Sequence, residues 1–166
     1  MEDRLERKYG GLKSRIASEG KAAIAFSGGV DSVLLFYAAR EALGENALAL
    51  TVSLHAVPER ELALAKAFCE RFGIRHRVET VDEFSIEGFA ANPPNRCYLC
   101  KRALFTRMRA AADDEGIPFL AEGSNVDDQG DYRPGLRALK ELGIASPLKD
   151  AGFTKAEIRQ MADRLG

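Results

Sequence analysis

Hydrophobic positions recur along the chain with two alternating periods. Leu5, Tyr9, Leu12 and Ile16 fall at helical spacing within residues 2–18, and the Gly10-Gly11 pair is expected to break or bend that outer, lid-like helix. An apolar run at 22–26 enters a glycine turn, and residues 31–43 read as an apolar helix closed by Gly44. The unit then repeats, with a strand at 47–54, a helix at about 58–72 and a strand at 74–81. Strands alternating with helices imply a parallel sheet covered on both faces.

Beyond Asp82 the pattern loosens, and Pro93-Pro94 excludes a regular helix. A helix is expected over about 97–115, a fourth strand at 117–121, a helix from Pro134 to Gly143 and a short fifth strand at 144–146. Thr154 and Glu157 form a capping box with Phe153 and Ile158 as its hydrophobic staple, so a final helix starts there. With no repeat or linker to divide it, the chain reads as one domain over 1–166: a doubly wound α/β fold with a parallel sheet of about five strands.

Composition narrows the function classes. The 166 residues are 46% apolar, enough for a continuous core, and 24 basic side chains nearly cancel 25 acidic ones. A net charge of −1 gives no global field for a nucleic-acid backbone. Apolar stretches are shorter than the roughly 20 residues that cross a bilayer, and the charged amino terminus lacks a signal-peptide core, so a cytoplasmic protein is expected. Three cysteines, two of them in a C-x-x-C pair, point to metal or redox chemistry and not to a disulfide framework.

The segment Ser27-Gly28-Gly29-Val30-Asp31-Ser32 joins a buried strand to a helix, where backbone N–H groups and the positive helix end converge on one point. The glycines admit a phosphate close to the backbone, and the hydroxyls of Ser27 and Ser32 add donors. An ionised Asp31 cannot donate, so it is the candidate Mg²⁺ ligand. A Walker A loop would end in Lys-Ser or Lys-Thr, and a dinucleotide fingerprint needs a third glycine; neither is present. These residues resemble the PP-loop ATP pyrophosphatase superfamily, whose S-G-G-x-D-S signature is matched at every fixed position. The resemblance implies cleavage of ATP between the α and β phosphates, giving AMP and pyrophosphate through an adenylated intermediate.

Four further motifs follow in order: residues 95–101 around Cys97 and Cys100, residues 122–128 from Glu122 to Asp128, residues 131–135 around Arg133, and residues 154–159 opened by Thr154-Lys155. Together they resemble the LarE family of ATP-dependent sulfur transferases over the chain from about Lys21 onward. That resemblance implies adenylation of a carboxylate on a pyridinium mononucleotide and its conversion to a thiocarboxylate, on the route to a nickel-pincer cofactor. It further implies sulfur from a sacrificed cysteine or a [4Fe–4S] cluster held by three cysteines, one of them in a later segment that a partner chain would supply.

The residues themselves support a site of this kind. Cys97 and Cys100 begin a helix among Arg96, Lys101 and Arg102, which favours thiolates, and they are candidate metal ligands. Half of a zinc knuckle, or two plain thiols, stays open as an alternative. Cys69 lies on the stripe of Leu62, Ala65 and Phe72 and reads as core. Gly123 and Asn125 follow a strand at its carboxyl end, where nucleotides bind in open sheets, and Asp127 or Asp128 is a further metal candidate; turn formation is the plainer alternative for these side chains. Arg133 is the candidate clamp for a carboxylate or phosphate, catalytic alongside Asp31 and Ser32, with a surface ion pair as the alternative for it. Lys155 and Arg159 read as the solvated face of a capped helix, and His55 as incidental. ATP and Mg²⁺ are the expected ligands, a carboxylate-bearing nucleotide the expected substrate, and a homo-oligomer the expected assembly. A tRNA or nucleobase thiolase and a non-catalytic nucleotide-binding subunit remain the alternatives.

Overall fold

The computed structural model of the chain describes residues 4–26, 29–53, 59–80, 96–128 and 141–165. Its main elements are α1 (Arg4–Ala17), β1 (Ala22–Ala25), α2 (Val30–Leu43), β2 (Ala47–Ser53), α3 (Glu59–Arg71), β3 (His76–Thr80), α4 (Arg96–Asp114), β4 (Leu120–Ala121), a short α5 (Pro147–Asp150) and α6 (Lys155–Leu165). The sheet is parallel throughout, in the order β3-β2-β1-β4. The doubly wound α/β class expected from the alternating pattern is the one observed.

Period-two alternation divides the interior into two layers. Ala22, Ile24, Ala47 and Ala49 face a core built with α1, α2, α3 and α6, while Ala23, Leu48 and Leu50 face a second core under α4, formed by Phe105, Met108, Ala111 and Ala112. Alanines in both central strands keep the two helical layers close to the sheet.

Two local expectations are corrected. Helix α1 runs unbroken through Gly10 and Gly11. Each interior glycine costs about 1 kcal/mol relative to alanine, but Leu5, Tyr9, Leu12 and Ile16 are all buried, at roughly 1.5–3 kcal/mol apiece, so packing outweighs propensity. Both glycines turn away from the core, with open space where a Cβ would stand. The fifth strand is a single parallel bridge, Ala145 to Ala121, made by Ala145 N–H to the Leu120 carbonyl and Glu122 N–H to the Ala145 carbonyl, each 2.9 Å. It cannot lengthen because Pro147 has no N–H and opens α5 two residues later. The fourth strand is two residues, Leu120–Ala121, shorter than the expected 117–121, although Ile117 and Phe119 are buried as a strand reading requires. The expected helix at 134–143 falls largely outside the described residues.

Helix α6 starts as its capping box requires. Thr154 N–H donates to Glu157 Oε1 and Glu157 N–H donates to Thr154 Oγ1, both at 3.1 Å, while Phe153 and Ile158 are fully buried around the box.

Candidate functional site

In the order β3-β2-β1-β4 the chain progresses outward from β1 in both directions, so the connections leaving β1 and β4 part company at the carboxyl edge of the sheet. Such a switch point opens a crevice where ligands bind in α/β sheets. The loop after β1 leads into α2, and the loop after β4 carries residues 122–128; both lie at that edge.

Helix α2 begins after Gly29, whose extended backbone (φ −73°, ψ 160°) supplies no side-chain cap. The N-cap of α2 is thus a glycine, and a helix N-terminus is where backbone N–H groups and the positive helix end meet an incoming anion. Ser32 is buried and its hydroxyl donates to the Gly29 carbonyl at 3.0 Å, inside the first turn. Val30 and Asp31 are partly exposed beside it. Ser27, Gly28, Arg133 and His55 lie outside the described residues, as do the side chains of Asp128, Cys97 and Cys100; the two cysteines occupy the first turn of α4.

The loop after β4 is pressed against this turn. A Cβ on Gly123 would stand 3.2 Å from Asp31 Cβ and 3.3 Å from the Ser32 nitrogen, so any larger residue here would have to push these neighbours back by a few tenths of an ångström. Asn125 is buried; its Nδ2 faces Asp31 Oδ2 at 3.5 Å and its Oδ1 accepts Asp127 N–H at 2.8 Å. Asp127, a candidate metal ligand by sequence, gives its Oδ2 to the Lys155 N–H at 2.8 Å and so caps the start of α6.

Lys155 corrects the sequence reading. Its Nζ lies 2.9 Å from Asp31 Oδ1, so it points into the site and away from the solvated face assigned to it, while Arg159 is exposed as expected. An ion pair this open to water contributes about 1 kcal/mol or less, so its interest lies in placement. The capping box was the signal available: it fixes Lys155 as the first residue of α6, but not what that helix end faces.

Sequence reasoning also missed two supports. Glu122 is buried at the end of β4, where its Oε2 accepts Ser124 N–H at 2.8 Å and Ser124 Oγ–H at 2.7 Å and its Oε1 accepts the Ser146 hydroxyl. Thr51 donates its single hydroxyl proton to the Phe26 carbonyl at 2.7 Å, which makes His76 Nε2, also 2.7 Å away, the donor to Thr51 Oγ1. Phe26 is the last residue before the glycine loop. Burial, with the nearby Lys66 charge, holds His76 below the ordinary histidine pKa and keeps it neutral.

A divalent cation fits this donor set in one way. Among the described residues no three His, Cys, Asp or Glu side chains gather as a cage. The Asp31 carboxylate stands in the first turn of α2, and a single carboxylate joined by substrate phosphates is a common Mg²⁺ arrangement. Cys69 is buried in the core, its thiol pushed up to about 11 by burial, as a packing residue should be. No described helix is long and apolar enough to cross a membrane.

Comparison with known proteins places the chain by family and by fold. The PP-loop domain family pattern matches residues 1–132. The chain is 31% identical over 163 residues to the pyridinium-3,5-bisthiocarboxylic acid mononucleotide synthase of Lactiplantibacillus plantarum, covering 98% of this chain and 59% of that protein. It is 41% identical over 163 residues to an uncharacterised protein of Synechocystis sp., with 98% and 60% covered. The chain thus spans about three fifths of the length of these relatives. Among solved structures, the NH3-dependent NAD synthetase of Campylobacter jejuni superposes with a TM-score of 0.71 at 19% identity, over 99% of this chain and 74% of that one, a likeness of fold.

Proposed function

This chain belongs to the PP-loop domain family, and we propose that it binds ATP at the switch point and transfers the adenylyl group to a substrate carboxylate, releasing pyrophosphate. The observation that carries the reading is the start of α2: a helix end entered through Gly29, packed by Gly123 and flanked by Asp31 and Lys155 at 2.9 Å from each other. Residues 27–32 would cradle the phosphates with backbone N–H groups, Lys155 would meet their negative charge, and Asp31 would hold Mg²⁺. When bound, that ion neutralises phosphate charge. Asn125 and Gly123 keep the Asp31 carboxylate and the first turn of α2 in place. The substrate carboxylate oxygen attacks the α-phosphorus, the bond to the bridging oxygen of the β-phosphate breaks, and pyrophosphate leaves with that oxygen. Fixed N–H donors and a cation aimed at the departing charge supply the rate gain.

The likeness to the Lactiplantibacillus synthase supports the finer reading, in which the activated carboxylate belongs to a pyridinium mononucleotide and goes on to a thiocarboxylate. Cys97 and Cys100, in the first turn of α4, would serve the sulfur step as cluster ligands together with a cysteine from a further segment or partner chain. A reducing cytoplasm suits such thiols.

The test is phosphorus NMR of ATP incubated with the chain, Mg²⁺ and a pyridinium carboxylate mononucleotide. AMP and pyrophosphate are expected; ADP and phosphate as main products would overturn the assignment.

A further inference from the structure

Asp31 meets two donors before any ligand arrives. The Lys155 ammonium stands on Oδ1 at 2.9 Å, and the Asn125 amide NH2 faces Oδ2 at 3.5 Å. The Asn125 carbonyl, the one atom of that side chain able to ligate a cation, already accepts Asp127 N–H at 2.8 Å. A divalent ion approaching this carboxylate alone would confront a resident positive charge and an amide turned with its protons forward.

The root of Lys155 is fixed. Its N–H is held by Asp127 Oδ2 at 2.8 Å, its helix starts in the Thr154 and Glu157 box, and Lys8 of α1 ties Glu157 at 2.9 Å and the Gly152 carbonyl at 2.7 Å. Ile158, one turn on, is fully buried. The four-carbon stem is therefore the mobile part, and it can carry the ammonium from the carboxylate toward an anion at the start of α2 without moving α6.

We infer that Lys155 is the resident counter-cation of Asp31, which keeps divalent metal off the carboxylate until nucleotide phosphates enter. The inference rests on the ATP-binding reading above. Phosphates supply negative charge that both cations can share: the ammonium transfers to a phosphate oxygen, and Asp31 is released to the metal. Metal binding and nucleotide binding become coupled, each strengthening the other by the same factor. A lysine can do this because its charge sits at the end of a flexible stem, and nothing at Asp31 requires a planar fork.

Mn²⁺, followed by electron paramagnetic resonance on the full chain, is the probe. Without nucleotide, wild type should leave Mn²⁺ free. K155M should bind it at least tenfold more tightly, K155M/D31N should lose that gain, and K155R, which keeps the charge, should behave as wild type. With α,β-methylene ATP present, wild type should bind Mn²⁺. Wild type that binds Mn²⁺ without nucleotide as tightly as K155M, or a gain in K155M that survives D31N, overturns the inference. Failure of wild type to bind the ATP analogue under any metal condition would instead sink the ATP reading, and the nucleotide-free comparison would still judge Lys155 separately. Superimposable near-ultraviolet circular dichroism of the four proteins establishes that they are folded.

Discussion

Gly123 lies so close to Asp31 that a Cβ at position 123 would come within 3.2 Å of Asp31 Cβ. The loop after β4 thereby sets where the first turn of α2 stands. Neither neighbour is the far end of a flexible side chain, so neither can yield easily.

Gly123→Ala is therefore expected to push the 122–125 loop off α2. A loss of about 1–3 kcal/mol in urea unfolding should accompany it, with KM for ATP rising more than kcat falls. Wild-type KM with unchanged stability would mean that the two loops separate without consequence.

Glu122 tests whether this loop is held by hydrogen bonds or by charge. Glu122→Ala strands the Ser124 N–H and the Ser124 and Ser146 hydroxyls, and about 2–3 kcal/mol of stability should be lost in urea titration. Glu122→Gln keeps an acceptor for Ser124, while the Ser146 hydroxyl can turn to accept from the amide, so about 1 kcal/mol should be lost and ATP turnover retained. Turnover abolished equally in both variants would show that the negative charge is required.

Thr154→Ala removes the Oγ1 acceptor of Glu157 N–H and should cost about 1 kcal/mol in thermal unfolding. Because the same cap roots Lys155, KM for ATP should rise as well. A stability loss with unmoved KM would separate the cap from the site.

Among the described residues, Glu157 and His76 make stability depend on pH on the acid side. Burial raises the Glu157 pKa, but the hydrogen bond from Lys8, the Thr154 N–H and the Lys8 charge outweigh it and hold the group below its ordinary value of 4.5. A depressed carboxyl stabilises the fold above that ordinary value, and the contribution is lost as pH falls through the folded pKa. His76, depressed by burial and Lys66, contributes fully above about 6.5 and loses that contribution as pH falls toward its folded pKa. Urea midpoints measured from pH 8 to pH 3 should fall in two stages, and Lys8→Met should flatten the lower one. An unchanged acid limb in that variant would remove Glu157 from the account.

Local signals were legible wherever the determining contacts lie within a few residues. The strand, glycine loop and helix at 22–43 could be read because a buried apolar run, a glycine pair and a helical stripe are neighbours in sequence. The cap of α6 could be read because Thr154 and Glu157 are three residues apart. Local reading failed where packing overruled it: Gly10 and Gly11 remain helical because four buried side chains hold α1, and residues 144–146 shrink to one bridge because Pro147 ends the ladder. The site itself depends on strand order. Asp31 meets Asn125 across 94 positions and Lys155 across 124, because β4 lies beside β1 and α6 packs on α2. The sequence alone determined the fold class, the strand and helix that flank the glycine loop, and the helix that bears Lys155. Only the tertiary structure decided that this lysine faces Asp31, because which helix end reaches which loop follows from the order of strands in the sheet, and no local pattern encodes that order.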